Sequence, residues 1–570
     1  MWKFSGPKSH RTAFEVHGVV ALTALLLACS GDDGSGAGGD GLPAGASAAC
    51  IAGSESACAC SDATQGVQVC DQAGVLGTCR CASGMAVPTA GVDGAGTGGA
   101  GAAGGGGSAK PEPPPKPTLA AGIRISEIAI YQAVKVSLVK AGQAVVARNA
   151  PVIVGKPGLV RVFVEVVEGF VPRDIVAELS IVSADGLGTP KSVTARITAG
   201  SRDEALDSTL NFDLEGSQIT GDTRYAIALR ETGPSAISPA MVEDQGGADP
   251  AARFPMIEGK YEPLGARDTG PVRVLVVPYR YKADGSDRVP LTTDAELQAY
   301  RDTLQVLYPT SQIELTVHEP VDYAGVVGPN SGWEQFLDFH CALRTMEMPD
   351  PKMLYYGTIA PKEGWPQYGS GIAGISPVPS AAGNYGRCSV GIGFAGGANT
   401  MAHELGHALG LPHAPCGGAG GPGPYPYKGA VIGVWGYSLV STTLKDPATT
   451  FDLMGYCNPT FISDFNYQRL FERIRYLNLQ FDVRKSAPTR YERVLLAQDG
   501  SMSARGALLF AEPPGGPEEA RPVTLLDAAG QSLGDTTAYF FPYSEASAGM
   551  WLVPSGAHAV RLGDSVVELP

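Results

Sequence analysis

The chain has 570 residues, too many for a single hydrophobic core, so roughly two to four domains are expected. Its formal charge is −15, only 17% of its residues are charged, and no basic patch stands out, which argues against a nucleic-acid partner. An acidic balance of this kind bears on solubility and leaves the chemistry open.

Lys3, Lys8 and Arg11 precede an apolar run, Val19 to Ala28, too short to span a bilayer as a permanent helix. Residues 1–28 therefore read as an export signal. The run ends Leu26-Leu27-Ala28-Cys29, which resembles a bacterial lipobox, with Cys29 as the lipidated first residue of the mature chain; an ordinary cleaved signal with an incidental cysteine is the rival. The expected location is the bacterial cell envelope, at the outer membrane or cell surface, with the lipid at Cys29 as the membrane contact, or release from it. Residues 29–49 are Gly/Ala/Asp-rich and read as a flexible tether. Cys50, Cys58, Cys60, Cys70, Cys79 and Cys81 fall in a Cys-rich module over 50–82 with few large apolar side chains, where disulfides would replace a core. A zinc site is the alternative there, but the Cys-x-Cys spacing and the lack of a nearby histidine disfavour it.

Residues 83–120 read as a Gly/Pro-rich linker. From 121 to 269, short β-branched runs alternate with turn residues (IRISEIAIYQ, VKVSLV, PVIVG, LVRVFVEVV and others), the pattern of an all-β sandwich; no histidine or cysteine lies in it. From 270 to 485 strands alternate with helices. Strands are expected over Pro271 to Tyr281, Ile313 to His318, Met353 to Ala360, Gly371 to Ile375 and Cys388 to Phe394, and helices over Thr292 to Leu307 and Trp333 to Met346. A further helix should begin near Met401, with Asn399 or Thr400 as its cap. Residues 486–570 read as a small C-terminal β domain with no catalytic constellation of its own.

Three of the eight histidines fall within eleven residues, His403-Glu404-Leu405-Gly406-His407-Ala408-Leu409-Gly410-Leu411-Pro412-His413. At i and i+4 on a helix, His403 and His407 project from one face and can bind one ion. Glu404, offset by one position, misses the ion but can reach a water on it. Gly410 can take a positive φ, turn the chain back and bring His413 in as a third ligand. Three neutral imidazoles leave an open position on a single catalytic Zn2+, with Glu404 as general base.

The eleven residues match the metzincin signature, and Asp452-Leu453-Met454-Gly455-Tyr456 resembles that clan's Met-turn. The resemblance implies an α/β catalytic domain, a mixed twisted sheet plus active-site helix, flanked here by all-β domains. It implies Met454 as a floor under the histidines and Tyr456 as a helper of the metal or the oxyanion, a core or rim tyrosine being the alternative. With GVWGY (Gly433 to Tyr437) and FISDFNY (Phe461 to Tyr467), the stretch is most similar to bacterial M66-type (StcE-like) peptidases, which implies a zinc metalloendopeptidase acting on extracellular protein or glycoprotein. Pro412 and the segment GGAGGPGPYPYKG depart from the common pattern. Cys416 and Cys457, each three residues beyond a site residue, are expected to pair, with Cys341 to Cys388 as a second bridge; Cys416 as a fourth ligand or latency thiol is the rival. An inactive metzincin-fold adhesin and a zinc amidase acting on cell-wall peptides are the competing functions.

Overall fold

The structure, a computed structural model, describes residues 55–59, 65–69, 80–81, 118–233, 243, 249–362, 371–380, 383, 385–394, 397–420, 424–479 and 487–570. The export signal, Cys29, the tether and nearly all of the Gly/Pro-rich linker lie outside them, as do Cys50, Cys60, Cys70 and Cys79. Of the Cys-rich module there remains the backbone of a small antiparallel sheet, Glu55–Ala59, Gln65–Val69 and Arg80–Cys81. The chain is multidomain and mostly β, with four α-helices among the described residues, none long and apolar enough to cross a membrane.

Six main strands make the first unit: β1 (Ile123–Lys140), β2 (Gly158–Val166), β3 (Arg173–Ser183), β4 (Lys191–Ile197), β5 (Leu210–Leu214) and β6 (Arg224–Glu231). One sheet runs β5-β2-β1, and in the other β3 sits between β4 and β6, all antiparallel. Every second residue of these strands points inward, so Ile128, Ile130 and Val162 of one sheet share a core with Ile175, Ala177 and Leu229 of the other. Two strands expected over 123–132 and 134–139 are in fact one. Ala133 carries a φ of 94°, and Gln132 beside it is buried with its amide bonded to the main chain at Ile153 and Lys156. A run expected as a strand, Pro151 to Gly155, makes only an isolated bridge from Ile153 to Arg267.

Next come β7 (Val272–Tyr281), β8 (Ile313–Val317), β9 (Met353–Ile359), β10 (Gly374–Ile375) and β11 (Cys388–Ile392), in the order β8-β7-β9-β11-β10. All neighbours are parallel except the edge strand β10, which runs antiparallel to β11. Helices α1 (Asp294–Leu307) and α3 (Gly397–Ala408) cover the face carrying Val274, Val276, Leu354 and Tyr356. Helix α2 (Trp333–Glu347) covers the opposite face through Trp333, Phe336 and Leu337 against Tyr279 and Tyr355. Strands buried on both faces read as continuous apolar runs, as PVRVLVV does. The Cys341–Cys388 disulfide pins α2 to β11, with Cα atoms 5.4 Å apart. Helix α4 (Asp464–Leu479) was not anticipated from the sequence; Tyr467, Leu470, Phe471 and Ile474 bury its inner face.

Between His413 and Met454, β12 (Gly436–Ser438) and β13 (Thr443–Lys445) leave this unit and extend the sandwich sheet, β12 pairing with β1 at Ala133 and Val134. The C-terminal unit is one seven-stranded antiparallel sheet of β14 (Thr489–Leu496), β15 (Met502–Phe510), β16 (Ala520–Leu526), β17 (Ser532–Pro542), β18 (Gly549–Pro554), β19 (Ala559–Leu562) and β20 (Ser565–Glu568), ordered β15-β14-β18-β17-β16-β19-β20. Leu495, Phe541 and Met550 join the core around α2, and buried Asp338 of α2 pairs with both Arg493 and Arg505.

Candidate metal centre

Helix α3 begins at Gly397, four residues ahead of the expected start, so Asn399 and Thr400 lie in its first turn and cap nothing. A Cβ on Gly397 would fall 2.8 Å from the Ile392 carbonyl, which lets strand β11 pass almost directly into the helix. At the other end the chain makes a Schellman closure: Gly410, at φ 84°, donates to His407 O at 2.7 Å, and Leu411 donates to Gly406 O at 3.0 Å. That reversal returns the chain toward the helix and delivers His413.

His403 and His407 face each other with their Nε2 atoms 3.0 Å apart. Their Nδ1 atoms are committed elsewhere, His403 to Leu453 O and His407 to Leu411 O, both at 2.7 Å, and His413 Nδ1 meets Gly420 O at 3.2 Å. A carbonyl only accepts, so each ring places a proton on Nδ1 and turns Nε2 inward, the nitrogen that offers a lone pair to a metal. Three lone pairs aimed at one point repel unless a cation sits among them. Burial first, then the neighbouring His403 and His413, push the pKa of His407 well below its usual value and keep it in the neutral, ligating form. The His403 to His407 separation is near the ~3.3 Å that two imidazoles span on a tetrahedral zinc at ~2.0 to 2.1 Å. The donor set therefore fits zinc.

The turn Asp452-Leu453-Met454-Gly455-Tyr456 packs against this arrangement. Buried Asp452 accepts from Met454 N, Ser463 N and Asn466 Nδ2 at 2.7 to 2.9 Å. Ala414 donates to Met454 O and Tyr456 to Cys416 O, so the turn and the ligand loop form a two-bonded clasp that the Cys416–Cys457 disulfide closes, with Cα atoms 5.6 Å apart. Cys416 is thereby removed as a ligand or latency thiol. Met454 is fully buried under Gly406, where a Cβ would meet its sulfur at 2.7 Å; glycine there lets the methionine reach the floor of the histidine cluster.

Glu404 is 2% exposed, its Oε2 has no hydrogen-bond partner, and burial first and Glu545 second raise its pKa well above the ordinary carboxyl range. Edge strand β10 passes so close that a Cβ on Gly374 would lie 2.6 Å from Glu404 Cγ. Tyr456 lies at the rim, 41% exposed, with its hydroxyl 3.0 Å from His413 Nε2.

A fourth group stands in the cluster that sequence reasoning missed. Glu545, from the turn between β17 and β18, brings Oε1 to 3.0 Å from His413 Nε2, 3.6 Å from His403 Nε2 and 3.9 Å from His407 Nε2. The four ligand atoms all lie within 4.8 Å of one another. Tyr456 donates its hydroxyl proton to Glu545 Oε2. The C-terminal sheet, expected to stand apart from the chemistry, thus contributes to its centre. No local spacing could have signalled this, because Glu545 lies 132 residues beyond His413 in a run of small residues, SEASAG.

The family model of Peptidase M66 matches residues 352–456, from the start of β9 through Tyr456. That segment supports a peptidase, of metallopeptidase type, and contains all three histidines, Glu404 and the Asp452-Leu453-Met454-Gly455-Tyr456 turn. No curated protein matches the chain. Among solved structures, a chain titled "Structure of a chaperone-substrate complex" shares 13% identity at a TM-score of 0.21, over 48% of this chain and 40% of that one. A β-glucuronidase of Bacteroides uniformis shares 11% identity at a TM-score of 0.12, over 42% of this chain and 27% of that one. This chain therefore spans less than half the length of either, and likeness at these scores carries no argument.

Proposed function

We propose that the chain is a zinc-dependent metalloendopeptidase with a metzincin-type catalytic unit, hydrolysing peptide bonds of extracellular proteins, glycoproteins among them, while held to the cell envelope by lipid at Cys29. The observation that carries this reading is the convergence of three Nε2 atoms whose Nδ1 protons are already spent on carbonyls, with a buried carboxylate, its Oε2 without a hydrogen-bond partner, one residue along the same helix. When bound, zinc supplies Lewis acidity, lowering the pKa of water to about 7 and polarising the scissile carbonyl.

The rest is done by the chain itself. An extended substrate strand can add to the edge continued by Ser376 and Val378 beyond β10. Glu404, kept dry and with Oε2 free, accepts the proton of the attacking water and returns it to the departing amine. Tyr456, at the rim beside His413, is placed to donate a hydrogen bond to charge developing on the carbonyl oxygen.

Glu404→Gln keeps the shape and removes the base, so peptide hydrolysis should fall by about 10²- to 10⁴-fold while one zinc per chain is retained. The assay is chelator-sensitive cleavage of a protein mixture rich in O-glycosylated chains, read beside zinc stoichiometry. If neither the wild type nor a Glu545→Ala form, each with one zinc, cleaves any protein, an adhesin or a cell-wall amidase replaces this reading.

A further inference from the structure

We propose that the hairpin tip between β17 and β18 is an internal inhibitory segment: Pro542 to Ser544 lies along the edge strand in the manner of a substrate, and Glu545 takes the position on the histidine site that water needs. The proposal rests on the metallopeptidase reading above.

The main chain carries the first part. Val378 donates to Pro542 O and Ser544 donates to Ser376 O, each at 2.9 Å, and Pro377 bridges Tyr543 in antiparallel register. Ser376 N also donates to Ser544 Oγ at 3.1 Å. These are the backbone groups an added peptide strand would use, and here the protein's own hairpin consumes them.

The side chains carry the second part. The Glu545 side chain is 12% exposed, and among the described residues no lysine or arginine forms an ion pair with it; the basic groups it meets are the three imidazoles. A carboxylate set among three imidazole nitrogens is stabilised by a cation held between them. Were zinc held there, the three imidazoles and the Glu545 carboxylate would supply four ligands, the donor count of a closed site. The same tip also takes the rim tyrosine, since Tyr456 donates to Glu545. Where a substrate would present a scissile carbonyl, the tip presents a side-chain carboxylate, so nothing is cleaved.

Release need not detach the C-terminal sheet. That sheet is fastened by a shared apolar core and by Asp338 with Arg493 and Arg505. The tip beyond Tyr543 is instead Ser-Glu-Ala-Ser, partly or fully exposed and without a large apolar anchor, so opening at 544–547 frees the centre while the sheet stays in place.

An internal ligand seated in 99% of molecules weakens an external one by about 100-fold. The test uses full-length wild type, Glu545→Gln and Glu545→Ala, loaded with zinc or with cobalt(II), and reads metal stoichiometry, the cobalt visible spectrum and the Kd of a small hydroxamate. The expected result is one metal per chain in all three, a changed cobalt spectrum in both variants, and hydroxamate binding at least about tenfold tighter than in wild type. The Gln variant preserves the tip's shape if the Ala variant folds poorly. One metal per chain with the same spectrum and Kd throughout overturns the inhibitory segment and leaves the metallopeptidase reading standing. No metal in any form overturns both.

Discussion

Replacing Cys416 and Cys457 by serine opens the only covalent link between the ligand loop and the Met-turn among the described residues. The bridge spans 41 residues of sequence, and the loop-entropy relation puts its effect on the unfolded chain at about 4 kcal/mol at 25 °C. The native arrangement should survive, because Ala414 N to Met454 O and Tyr456 N to Cys416 O remain. The loss should therefore appear as stability and leave the architecture intact. For a cooperative unit of roughly 200 residues, about 4 kcal/mol lowers the melting temperature by about 8 to 16 °C. Thermal and denaturant unfolding of the zinc-loaded protein, with and without the double substitution, measures it. An unchanged midpoint and slope would refute the reasoning, since the denatured loop would then gain no freedom on being cut. A large loss of zinc affinity under native conditions would refute it differently, by showing that the two backbone bonds do not hold His413 unaided.

Gly410→Ala forces a left-handed residue and sets a Cβ 2.7 Å from the Pro379 carbonyl; the conformation alone costs about 1 to 2 kcal/mol. Because this turn aims His413, zinc affinity should fall by about tenfold or more, as competitive chelator titration would show, and unchanged affinity would mean that the turn does not set the ligand. His340 is fully buried beneath β9, and burial lowers its pKa to about 3. Between pH about 6.5 and about 3 the unfolded chain therefore binds a proton that the folded chain refuses, and stability drops by about 1.4 kcal/mol per unit as pH falls through that window. His340→Asn, measured by denaturation from pH 7 to 4, should remove that slope; parallel wild-type and variant curves would contradict it.

The helices and strands from 271 to 408 were legible because their signals are local. Strand β7 is a nearly unbroken apolar run, α1 has acidic residues in its first turn, and the histidine spacing fits one helical face. The turn at Gly410 was legible too, since a ligand beyond it demands a reversal. Helix α4 was missed because its apolar stripe is interrupted by buried polar residues, Asp464, Asn466 and Arg473, whose partners Asn149, Asp452 and Gly383 lie outside the helix. The start of α3 was placed late because Gly397 and Asn399 are poor helix formers, and packing against β11 overrides that preference. Glu545 was out of reach for a deeper reason. Its partners are brought to it by the docking of two sheets, which no periodicity records.

Strand β12 has a bearing on modularity. The polypeptide between His413 and Met454 crosses to the sandwich, pairs there with β1, and returns, while Tyr467 of α4 donates to Gln132 O at 2.8 Å from the same side. Sandwich and metal centre are thus two lobes of one woven object, and neither can be cut out as a cassette. Excising 121–269 would strip β12 of its neighbour and leave an unpaired strand edge on the loop that spaces the third histidine from its methionine floor. A lobe excised in this way should aggregate through that edge.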